Sequence, residues 1–298
     1  MKEAQATRGE RVLIVTPARN EAHFLPRVIE SIVGQSQRPA CWVIVDDGST
    51  DETFAIAERA AREHDWIRVL RRRDRGQRVL GSGVIHAFEY GRSWYEGDYD
   101  YVAKMDADVT VGPRYLETAM KKFADDPELG ALSGKVYRED SDGRVEEFMI
   151  DDMVAGQWKL YRRETFEDIG GFVPRVMWDG IDFHQARRCG WKTRSFEDAD
   201  LAILHHRLMG SSERNVLVGR LRWGRGQWFL GSHPLYVAAS ALWRMREKPR
   251  FLGGLLIFAG FLGAWLRGDE RYGSRAFRRD LHTWQWNRLL GLTRGVVR

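Results

Sequence analysis

The sequence contains few cysteines and begins without a strongly apolar segment. Among its 298 residues only Cys41 and Cys189 are cysteines, which argues against a disulfide framework and against a cysteine-rich zinc site. The first residues, Lys2 to Glu10, are polar and lack the apolar core of a signal peptide. We therefore expect a globular protein that works in the cytoplasm.

A nucleic-acid-binding motif is also missing, although the net charge is +5. The basic residues concentrate in residues 68–78 and from residue 207 onward, where tryptophans such as Trp228 and Trp243 accompany them. Arginine next to tryptophan suits an anionic membrane face at least as well as a nucleic acid. We expect no nucleic-acid partner; a role of these charges in solubility alone is the alternative.

The most informative feature that is present is an apolar run ending in two carboxylates. Residues 101–105 read as a strand, and Asp106, Ala107 and Asp108 follow. Where a strand ends the chain turns, so both carboxylates can aim at one hard cation instead of pointing to opposite faces of a sheet. This pattern predicts a site for a hard cation.

Two other strand-like runs end in polar groups in the same way. Residues 41–45 lead into Asp46 and Asp47, and residues 12–15 lead into the polar segment 16–21. In an open parallel sheet, ligands bind beyond the carboxyl ends of the strands. We therefore expect the three strand ends to contribute to a single site.

Strand-like and helix-like segments alternate at the spacing of βαβ units. The predicted strands are residues 12–16, 41–45, 66–70 and 101–105, and the predicted helices are residues 24–33, a helix that follows N-cap candidates at 49–52, and 79–90. This order predicts an α/β fold with a mainly parallel central sheet and flanking helices. The length allows one large domain and an appendage.

Four segments, in this order, resemble motifs of the family 2 glycosyltransferases. They are residues 16–21 (Thr-Pro-Ala-Arg-Asn-Glu), 45–51 (Val-Asp-Asp-Gly-Ser-Thr-Asp), 106–108 (Asp-Ala-Asp) and 170–172 (Gly-Gly-Phe). The resemblance implies an A-type nucleotide-sugar-binding fold, and transfer of a sugar from a nucleotide-sugar donor to a hydroxyl acceptor during surface polysaccharide or glycolipid assembly. The resemblance covers the domain that we expect to be catalytic, at 11–225; a flexible N-terminus is expected at 1–10 and a C-terminal helical segment at 226–298.

The resemblance also assigns a donor site. Asp47 is expected to accept a hydrogen bond from the base, Asp46 to shape its loop, Asp106 to lie on the ribose or metal side, and Asp108 to ligate Mg²⁺ or Mn²⁺ at the diphosphate. Such a cation stabilises the negative charge that develops on the leaving nucleoside diphosphate. The residues expected to bind the nucleotide sugar are Pro17, Ala18, Arg19, Glu21, Asp46, Asp47, Asp106, Ala107, Asp108, Arg220, Arg222 and Trp223.

An inverting transfer needs a base for the acceptor hydroxyl, and the family commonly has a Glu-Asp pair shortly after the Gly-Gly-Phe turn. Here the register places Asp179 on the glutamate and Gly180 on the aspartate. Asp179 and Asp182 are therefore both candidate catalytic residues. We favour Asp179, because Asp182 is expected at a helix start, where a capping role would explain it.

Two later segments also match family features. The resemblance implies that His205 or His206 completes the metal shell or contacts the diphosphate; a hydrogen-bonded pair at a strand end is the alternative. Residues 219–223 resemble the Gln-Arg-x-Arg-Trp motif of processive synthases, with glycine in place of glutamine. Arg220 and Arg222 could hold a phosphate and Trp223 could stack on an acceptor sugar. A plain surface helix is the alternative.

The C-terminal part is expected to form helices next to a membrane. Residues 251–266 are uncharged and lie between Arg250 and Arg267, but a helix of this length reaches about 24 Å, less than the roughly 30 Å of a bilayer core. Together with residues 228–243, this run predicts an interfacial or re-entrant helix pair. We expect peripheral attachment to the inner face of the cell membrane, beside a glycan or lipid-linked acceptor; a helical hairpin packed on protein is the alternative.

Other functions remain open at this point. Residues 106–110 also match the Asp-x-Asp-x-Thr motif of haloacid-dehalogenase-type phosphatases, with Asp106 as nucleophile, but that match leaves the first hundred residues unexplained. A non-catalytic sugar-nucleotide-binding module is conceivable because of Gly180. A dinucleotide-binding fold is weaker, since His86 stands where the third glycine of the motif belongs. Nothing in the sequence indicates an oligomeric state.

Overall fold

A computed structural model of the chain describes residues 10–74, 76, 81–140, 143–147, 149–207, 216–246 and 249–291. The described residues form two compact units. The first unit lies within Met1–Pro174 and Cys189–Arg207, and the second lies within Arg175–Arg188 and Leu208–Arg298. The flexible N-terminus predicted at residues 1–10 lies, except for Glu10, outside the described residues, as do the first two residues of the helix predicted at 79–90.

The strands all belong to the first unit. In chain order they are β1 (Val12–Ala18), β2 (Cys41–Asp46), β3 (Ile67–Arg71), β4 (Tyr101–Met105), β5 (Val109–Val111), β6 (Leu129–Gly134), β7 (Val136–Asp140), β8 (Gly143–Glu146), β9 (Trp158–Arg162), β10 (Lys192–Phe196) and β11 (Ile203–His205).

Helices occur in both units. Those of the first unit are α1 (Leu25–Val33), α2 (Thr53–Glu63), α3 (Ser82–Trp94), α4 (Tyr115–Asp125) and α5 (Arg163–Asp168). Those of the second unit are α6 (Trp178–Arg188), α7 (Val216–Leu230), α8 (Pro234–Arg244), α9 (Leu252–Leu266) and α10 (Arg275–Leu289).

The central sheet has the order β10-β6-β9-β4-β1-β2-β3. Strands β4, β1, β2 and β3 pair in parallel, and β9 runs antiparallel between β4 and β6. β1 and β2 are buried on both faces, as is usual where helices cover a parallel sheet. The predicted α/β class with a mainly parallel sheet is confirmed.

Helices pack on both faces of this sheet. Val12, Ile14 and Ile44 belong to the main core cluster, together with α1 and α2 residues such as Leu25 and Ala57. The opposite face receives α3 at very short range.

The close contact of α3 depends on a glycine. A Cβ placed on Gly91 would lie 2.7 Å from side-chain atoms of both Val15 and Val45. Any larger residue would push α3 away from the strands whose ends carry the candidate site.

A second, smaller sheet extends from the carboxyl edge of the central one. Its order is β5-β11-β7-β8. β5 begins directly after Asp108, and its antiparallel register with β11 places Val109 opposite His205. This pairing joins two chain segments that are almost one hundred residues apart, and it builds the part of the site described below.

In the second unit, α7 and α9 cross at short distance through glycines. A Cβ on Gly224 would lie 1.9 Å from the Ile257 carbonyl oxygen, and a Cβ on Gly260 would lie 2.1 Å from that of Leu221. The predicted C-terminal helical segment is confirmed as helical. The predicted end of the catalytic domain at residue 225 falls inside α7 and stays a prediction.

The apolar run at residues 251–266 was expected to be too short to cross a membrane on its own. Helix α9 covers 15 residues. Among the described residues, no helix is both long enough and apolar enough to cross a bilayer.

Candidate functional site

The carboxyl ends of β1 and β2 are tied together by side-chain hydrogen bonds. The Asn20 side-chain oxygen accepts a hydrogen bond from the Thr50 amide at 2.8 Å, and the Asn20 amide donates to the Ser49 hydroxyl at 3.0 Å. Asn20 has a φ of 55°, a conformation that asparagine tolerates better than most residues. The two loops therefore form one continuous surface.

Asp46 lies beneath this surface. It is fully buried, and its Oδ1 accepts a hydrogen bond from the Ser49 amide at 3.0 Å. Its other oxygen lies 3.4 Å from Arg71 Nε, an ion-pair distance, although it makes no hydrogen bond. Asp46 thus holds the turn after β2 in shape.

Asp47 lies among guanidinium groups and is 8% exposed. Its Oδ1 accepts a hydrogen bond from Arg72 at 2.7 Å, and Arg19 donates to its backbone carbonyl at 2.6 Å. The Asp47 amide donates to the carbonyl of Ala18, the last residue of β1 after Pro17, at 2.8 Å. The predicted nucleoside floor is therefore a compact group that carries both charge signs.

Asp106 and Asp108 have different partners. Asp106 accepts a hydrogen bond from Lys104, a buried ammonium group that also donates to the Gly156 carbonyl at 2.7 Å. Asp108 Oδ2 lies 3.7 Å from His205 Nε2 and 3.4 Å from Arg207 Nε. Asp108 faces the histidine, while Asp106 is anchored by the lysine of its own strand.

The two histidines, His205 and His206, also have different partners. The His206 amide donates to the Asp108 carbonyl at 3.0 Å, but the His206 ring hydrogen-bonds Thr110 at 2.9 Å and stacks on Phe24 with 6.2 Å between centroids. The β5–β11 register brings the His205 ring toward the Asp108 carboxylate. Of the two histidines predicted as ligands, His205 is therefore the better placed.

A buried glutamate orients the His205 ring. The carboxylate oxygens of Glu147 lie 3.1 and 3.3 Å from His205 Nδ1, and Gln157 donates to Glu147 Oε2 at 3.2 Å. A carboxylate can only accept, so His205 Nδ1 carries the proton. Glu147 was not predicted from the sequence, because nothing in residues 143–147 resembles a known motif.

Arg207 links the first loop to the acidic turn. Its guanidinium forms an ion pair with buried Glu21, approaches Asp108 and lies 5.1 Å from the Phe24 ring centroid. The Glu21 amide in turn donates to Thr53 Oγ1 at 2.8 Å. Arg207 was not among the residues predicted from the sequence, although it directly follows the predicted His205-His206 pair.

The charges of this cluster depend on one another. Burial raises the pKa of Asp108, but contact with His205 and the charge of Arg207 outweigh burial, and the net shift is downward. Burial lowers the pKa of His205, but its contacts with Asp108 and Glu147 outweigh burial and raise the pKa to about 9. Asp108 is therefore ionised and His205 protonated at neutral pH, and binding of a metal to His205 would release that proton.

The donor set suits a divalent ion that is shared with a substrate. Among the described residues, no three acidic, histidine or cysteine side chains converge to hold a metal. The facing pair is the Asp108 carboxylate and His205 Nε2. Mg²⁺ is usually held by one or two carboxylates together with substrate phosphates, and carboxylate oxygens also suit Mn²⁺. These residues fit an ion whose remaining ligands come from a diphosphate.

The two predicted catalytic aspartates lie in the second unit, on α6. This helix begins at Trp178, so Asp179 is in its first turn and Asp182 lies inside it. The expected capping position of Asp182 is therefore wrong. Asp182 is 2% exposed and accepts from the Phe183 amide at 2.6 Å, whereas Asp179 is partly exposed. Met177, which precedes the helix, has a φ of 75°, a strained value for methionine.

The other predicted residues of the second unit lie on α7. Trp223 packs against the cluster of Val237, Ala241, Ile257 and Phe261, and Arg244 lies 5.0 Å from its ring centroid. Arg220 and Arg222 are partly exposed on the same helix. The packing of Trp223 explains its presence; a contact of Arg220, Arg222 or Trp223 with substrate stays a prediction.

Comparison with known sequences supports the resemblance. The profile described as Glycosyl transferase family 2 matches residues 13–178. Glycosyltransferase GlyG of Streptococcus pneumoniae is 25% identical over 195 residues, which are 60% of this chain and 62% of that protein. Glycosyltransferase AglD of Haloferax volcanii is 28% identical over 220 residues, 65% of this chain and 33% of that protein. The chain thus spans less than two thirds of these relatives.

Solved structures resemble the fold. The mannosyltransferase PcManGT from Pyrobaculum calidifontis, in complex with GDP-Man and Mn²⁺, has a TM-score of 0.53 and 19% identity over 97% of this chain and 82% of its own. GalNAc-T7 with UDP, GalNAc and Mn²⁺ has a TM-score of 0.59 and 15% identity over 95% of this chain and 58% of its own. The predicted A-type glycosyltransferase fold is confirmed.

The family match also decides between the interpretations of the acidic turn. It begins at residue 13, so it includes most of the first hundred residues, which the phosphatase alternative left unexplained. It also covers more than half of the 298 residues. The chain belongs to glycosyl transferase family 2.

Proposed function

We propose that this protein transfers a sugar from a nucleotide-sugar donor to a hydroxyl acceptor with the help of Mg²⁺ or Mn²⁺. The observation that carries the proposal is the Asp108–His205 pair, which lies beside Arg207 at the carboxyl edge of the sheet. Arg207 in turn pairs with Glu21, a residue of the loop that follows β1. A chelating pair beside a cation suits a diphosphate.

The nucleoside is proposed to rest on the surface formed by the loops after β1 and β2. Pro17, Ala18 and Arg19 end β1 and lead into its loop, and Asp47 contributes a hydrogen-bonding carboxylate. Arg19 and Arg72 hold Asp47 in place through its carbonyl and its carboxylate. The related structures named above contain GDP-Man or UDP, which supports a nucleoside diphosphate sugar as donor.

Asp108 and His205 would hold the divalent ion, with Asp106 at the ribose or metal side. When bound, the ion stabilises the negative charge on the departing diphosphate. Arg207 contributes a second positive charge next to Asp108. Lys104 fixes Asp106 from within the sheet, so that Asp106 keeps one orientation while the donor binds.

The transfer is proposed to proceed with inversion. The acceptor oxygen attacks the anomeric carbon, its proton passes to the Asp179 carboxylate, and the bond to the nucleoside diphosphate breaks. Asp179 is favoured over Asp182 because it is partly exposed, while Asp182 is buried inside α6. A buried carboxylate is poorly accessible to an acceptor hydroxyl.

The acceptor is proposed to be a growing polysaccharide or a glycolipid at the inner face of the cell membrane. Two relatives, a chondroitin synthase of Escherichia coli and a poly-beta-1,6-N-acetyl-D-glucosamine synthase of Staphylococcus aureus, are each 26% identical over 164 and 129 residues. Those names concern polymers, which supports this choice of acceptor. The two matches cover 22% and 28% of the lengths of these relatives, respectively.

Peripheral membrane binding is proposed to use one face of α9. Phe251, Leu255 and Leu266 are 73%, 58% and 73% exposed, and Arg250 and Arg267 flank the helix. An apolar helix face with cationic ends suits the interface of an anionic bilayer. A second copy of the chain covering this face is the alternative, and a dimer in solution that Leu255→Glu dissociates would identify it.

A product assay tests the transfer. The protein is incubated with UDP- and GDP-sugars and a panel of glycan and glycolipid acceptors, with Mn²⁺ or with EDTA, and released nucleoside diphosphate is measured. We expect release that requires both an acceptor and the metal. Tight nucleotide binding without turnover on any acceptor would favour the non-catalytic module, and hydrolysis of an aryl phosphate without nucleoside diphosphate release would favour the phosphatase.

A further inference from the structure

The buried carboxylate of Glu147 belongs to a closed chain of contacts around the acidic turn. Glu147 is 5% exposed on its side chain, and both its oxygens lie within 3.3 Å of His205 Nδ1. Gln157 donates to Glu147 through its side chain and accepts from the Asp106 amide at 2.8 Å through its carbonyl. This series of contacts therefore runs from Asp106 through Gln157, Glu147 and His205 to Asp108.

This arrangement limits the His205 ring to one orientation. Because Nδ1–H donates to Glu147, a rotation of the ring by 180° would bring a carbon toward the carboxylate and lose the hydrogen bond. Nε2 therefore stays on the side of Asp108, at 3.7 Å from its Oδ2. A histidine held in this way presents its other nitrogen to a metal with a fixed tautomer.

The position of Glu147 is hard to explain by stability alone. A buried carboxylate is costly to desolvate, and an apolar residue of similar size is often as stable in its place. Glu147 follows β8, and its amide donates to the Val136 carbonyl at 2.8 Å. This hydrogen bond to the small sheet places the Glu147 carboxylate next to His205. Its neighbour Glu146 is exposed.

We propose that Glu147 is a positioning residue that holds His205 with Nε2 toward Asp108, so that the two donors are prearranged for the divalent ion. The inference rests on the metal dependence proposed above. Glu147 itself does not touch the metal or the donor; it acts through the orientation and basicity of His205. Partners of this kind typically change metal affinity about 10- to 100-fold when they are removed.

Binding of Mn²⁺ measures this role without any turnover. The protein is added stepwise to Mn²⁺, either alone or together with UDP or GDP. The electron paramagnetic resonance signal of free Mn²⁺ is recorded at each step. We expect Glu147→Ala to weaken Mn²⁺ binding about 10- to 100-fold. Glu147→Gln should lose less, because its amide oxygen still accepts from Nδ1–H. Glu146→Gln, the exposed matched control, should bind as the wild type does.

A double-mutant cycle separates positioning from general damage to the fold. If Glu147 acts through His205, the Glu147→Ala change should have no further effect on Mn²⁺ affinity in a His205→Ala background. An equal loss in both backgrounds would overturn the proposal. If Glu147→Ala does not fold, the Glu147→Gln variant completes the same cycle, with a smaller expected loss.

The outcomes also separate this inference from the proposed function. If Glu147→Ala binds Mn²⁺ as the wild type does and Asp108→Asn binds none, the role of Glu147 is overturned while the metal dependence stands. A wild-type protein that binds no Mn²⁺ with or without nucleotide overturns the metal dependence, and this inference with it.

Discussion

Each unit departs at one place from the usual burial of apolar groups and exposure of charged ones. In the first unit, charged side chains such as Asp46, Lys104 and Glu147 are buried and paired at the carboxyl edge of a sheet. In the second unit, apolar side chains such as Phe251 and Leu266 are exposed on α9. Burial of charge is costly and exposure of large apolar faces is unusual. In the proposed function, each departure marks a place where a partner binds: a charged ligand in the first unit, and an apolar surface on the second.

The largest effect is expected at the acidic turn of the first unit. Asp108→Asn removes the charge that faces His205, and turnover should fall to background because the divalent ion loses its carboxylate ligand. Steady-state release of nucleoside diphosphate measures this. Asp98→Asn, at an exposed carboxylate of the same unit, is the matched control and should retain activity. An active Asp108→Asn enzyme would contradict the assigned site.

A second large effect is expected on α6. Asp179→Asn removes the proposed base, and kcat should fall about 10²- to 10⁴-fold, while the affinity for the donor stays unchanged because the proposed base acts on the acceptor hydroxyl and not on the donor. Kinetics and donor titration on the same preparation measure both quantities. Asp182→Asn is the paired variant. Full activity of Asp179→Asn together with an inactive Asp182→Asn enzyme would exchange the two roles.

An intermediate effect is expected on the exposed face of α9. Leu255→Glu removes a side chain of the kind whose burial contributes about 1.5–3 kcal/mol, so partitioning onto vesicles containing phosphatidylglycerol should fall at least about tenfold. Cosedimentation measures it. Val145→Glu, at an exposed apolar residue of the first unit, is the matched control and should bind vesicles normally.

Two results would count against the membrane assignment. One is equal vesicle binding by Leu255→Glu and the wild type. The other is a dimer in solution that Leu255→Glu dissociates, which would identify a second copy of the chain as the partner of this face.

The smallest effect expected is a difference in pH dependence between one histidine of each unit. Burial lowers the pKa of His184, in the second unit, to about 3. The unfolded chain binds that proton near pH 6.5, so stability contributed by neutral His184 is present above pH 6.5 and is lost as the pH falls, by about 2 kcal/mol at pH 5. His184→Gln should flatten the acid side of a urea-denaturation profile.

His205 should show the opposite sign. Its pKa of about 9 lies above the unfolded value, so the stability that it contributes is complete below pH 6.5 and is lost as the pH rises through 9. In EDTA, His205→Asn should flatten the alkaline side of the same profile. If both variants changed the same side, the assignment of charge in the two units would be wrong.

Much of the first unit could be predicted from the sequence. The strand over residues 101–105 is the observed β4, because a parallel strand that is covered on both faces gives a largely apolar run. The prediction for β1 stopped at residue 16, but the strand continues through Pro17 to Ala18, since the pairing with β2 extends to Asp46. Local sequence patterns predict that a strand or helix exists more reliably than they predict where it ends.

The contacts of the site could be predicted only in part. Asp108 was expected from its place at a strand end, but its separation from Asp106 depends on Lys104, a lysine inside an otherwise apolar strand. The role of Glu147 depends on the pairing of β5, β7, β8 and β11. Strands as short as β5, with three residues, carry no periodic signal, so their pairing and the residues that it brings together are set by tertiary structure.

The central claim is that Asp108 and His205 hold a divalent ion together with the donor's diphosphate. Thermal unfolding with UDP or GDP, in Mn²⁺ or in EDTA, tests it most directly, for the wild type and for Asp108→Asn. Ligand at one hundred times its dissociation constant adds about 2.7 kcal/mol to stability, a rise of about 5–10 °C for a domain of this size. We predict this rise for the wild type with Mn²⁺ and nucleotide together, and its loss in EDTA or in Asp108→Asn. An equal rise in all four conditions would contradict the claim.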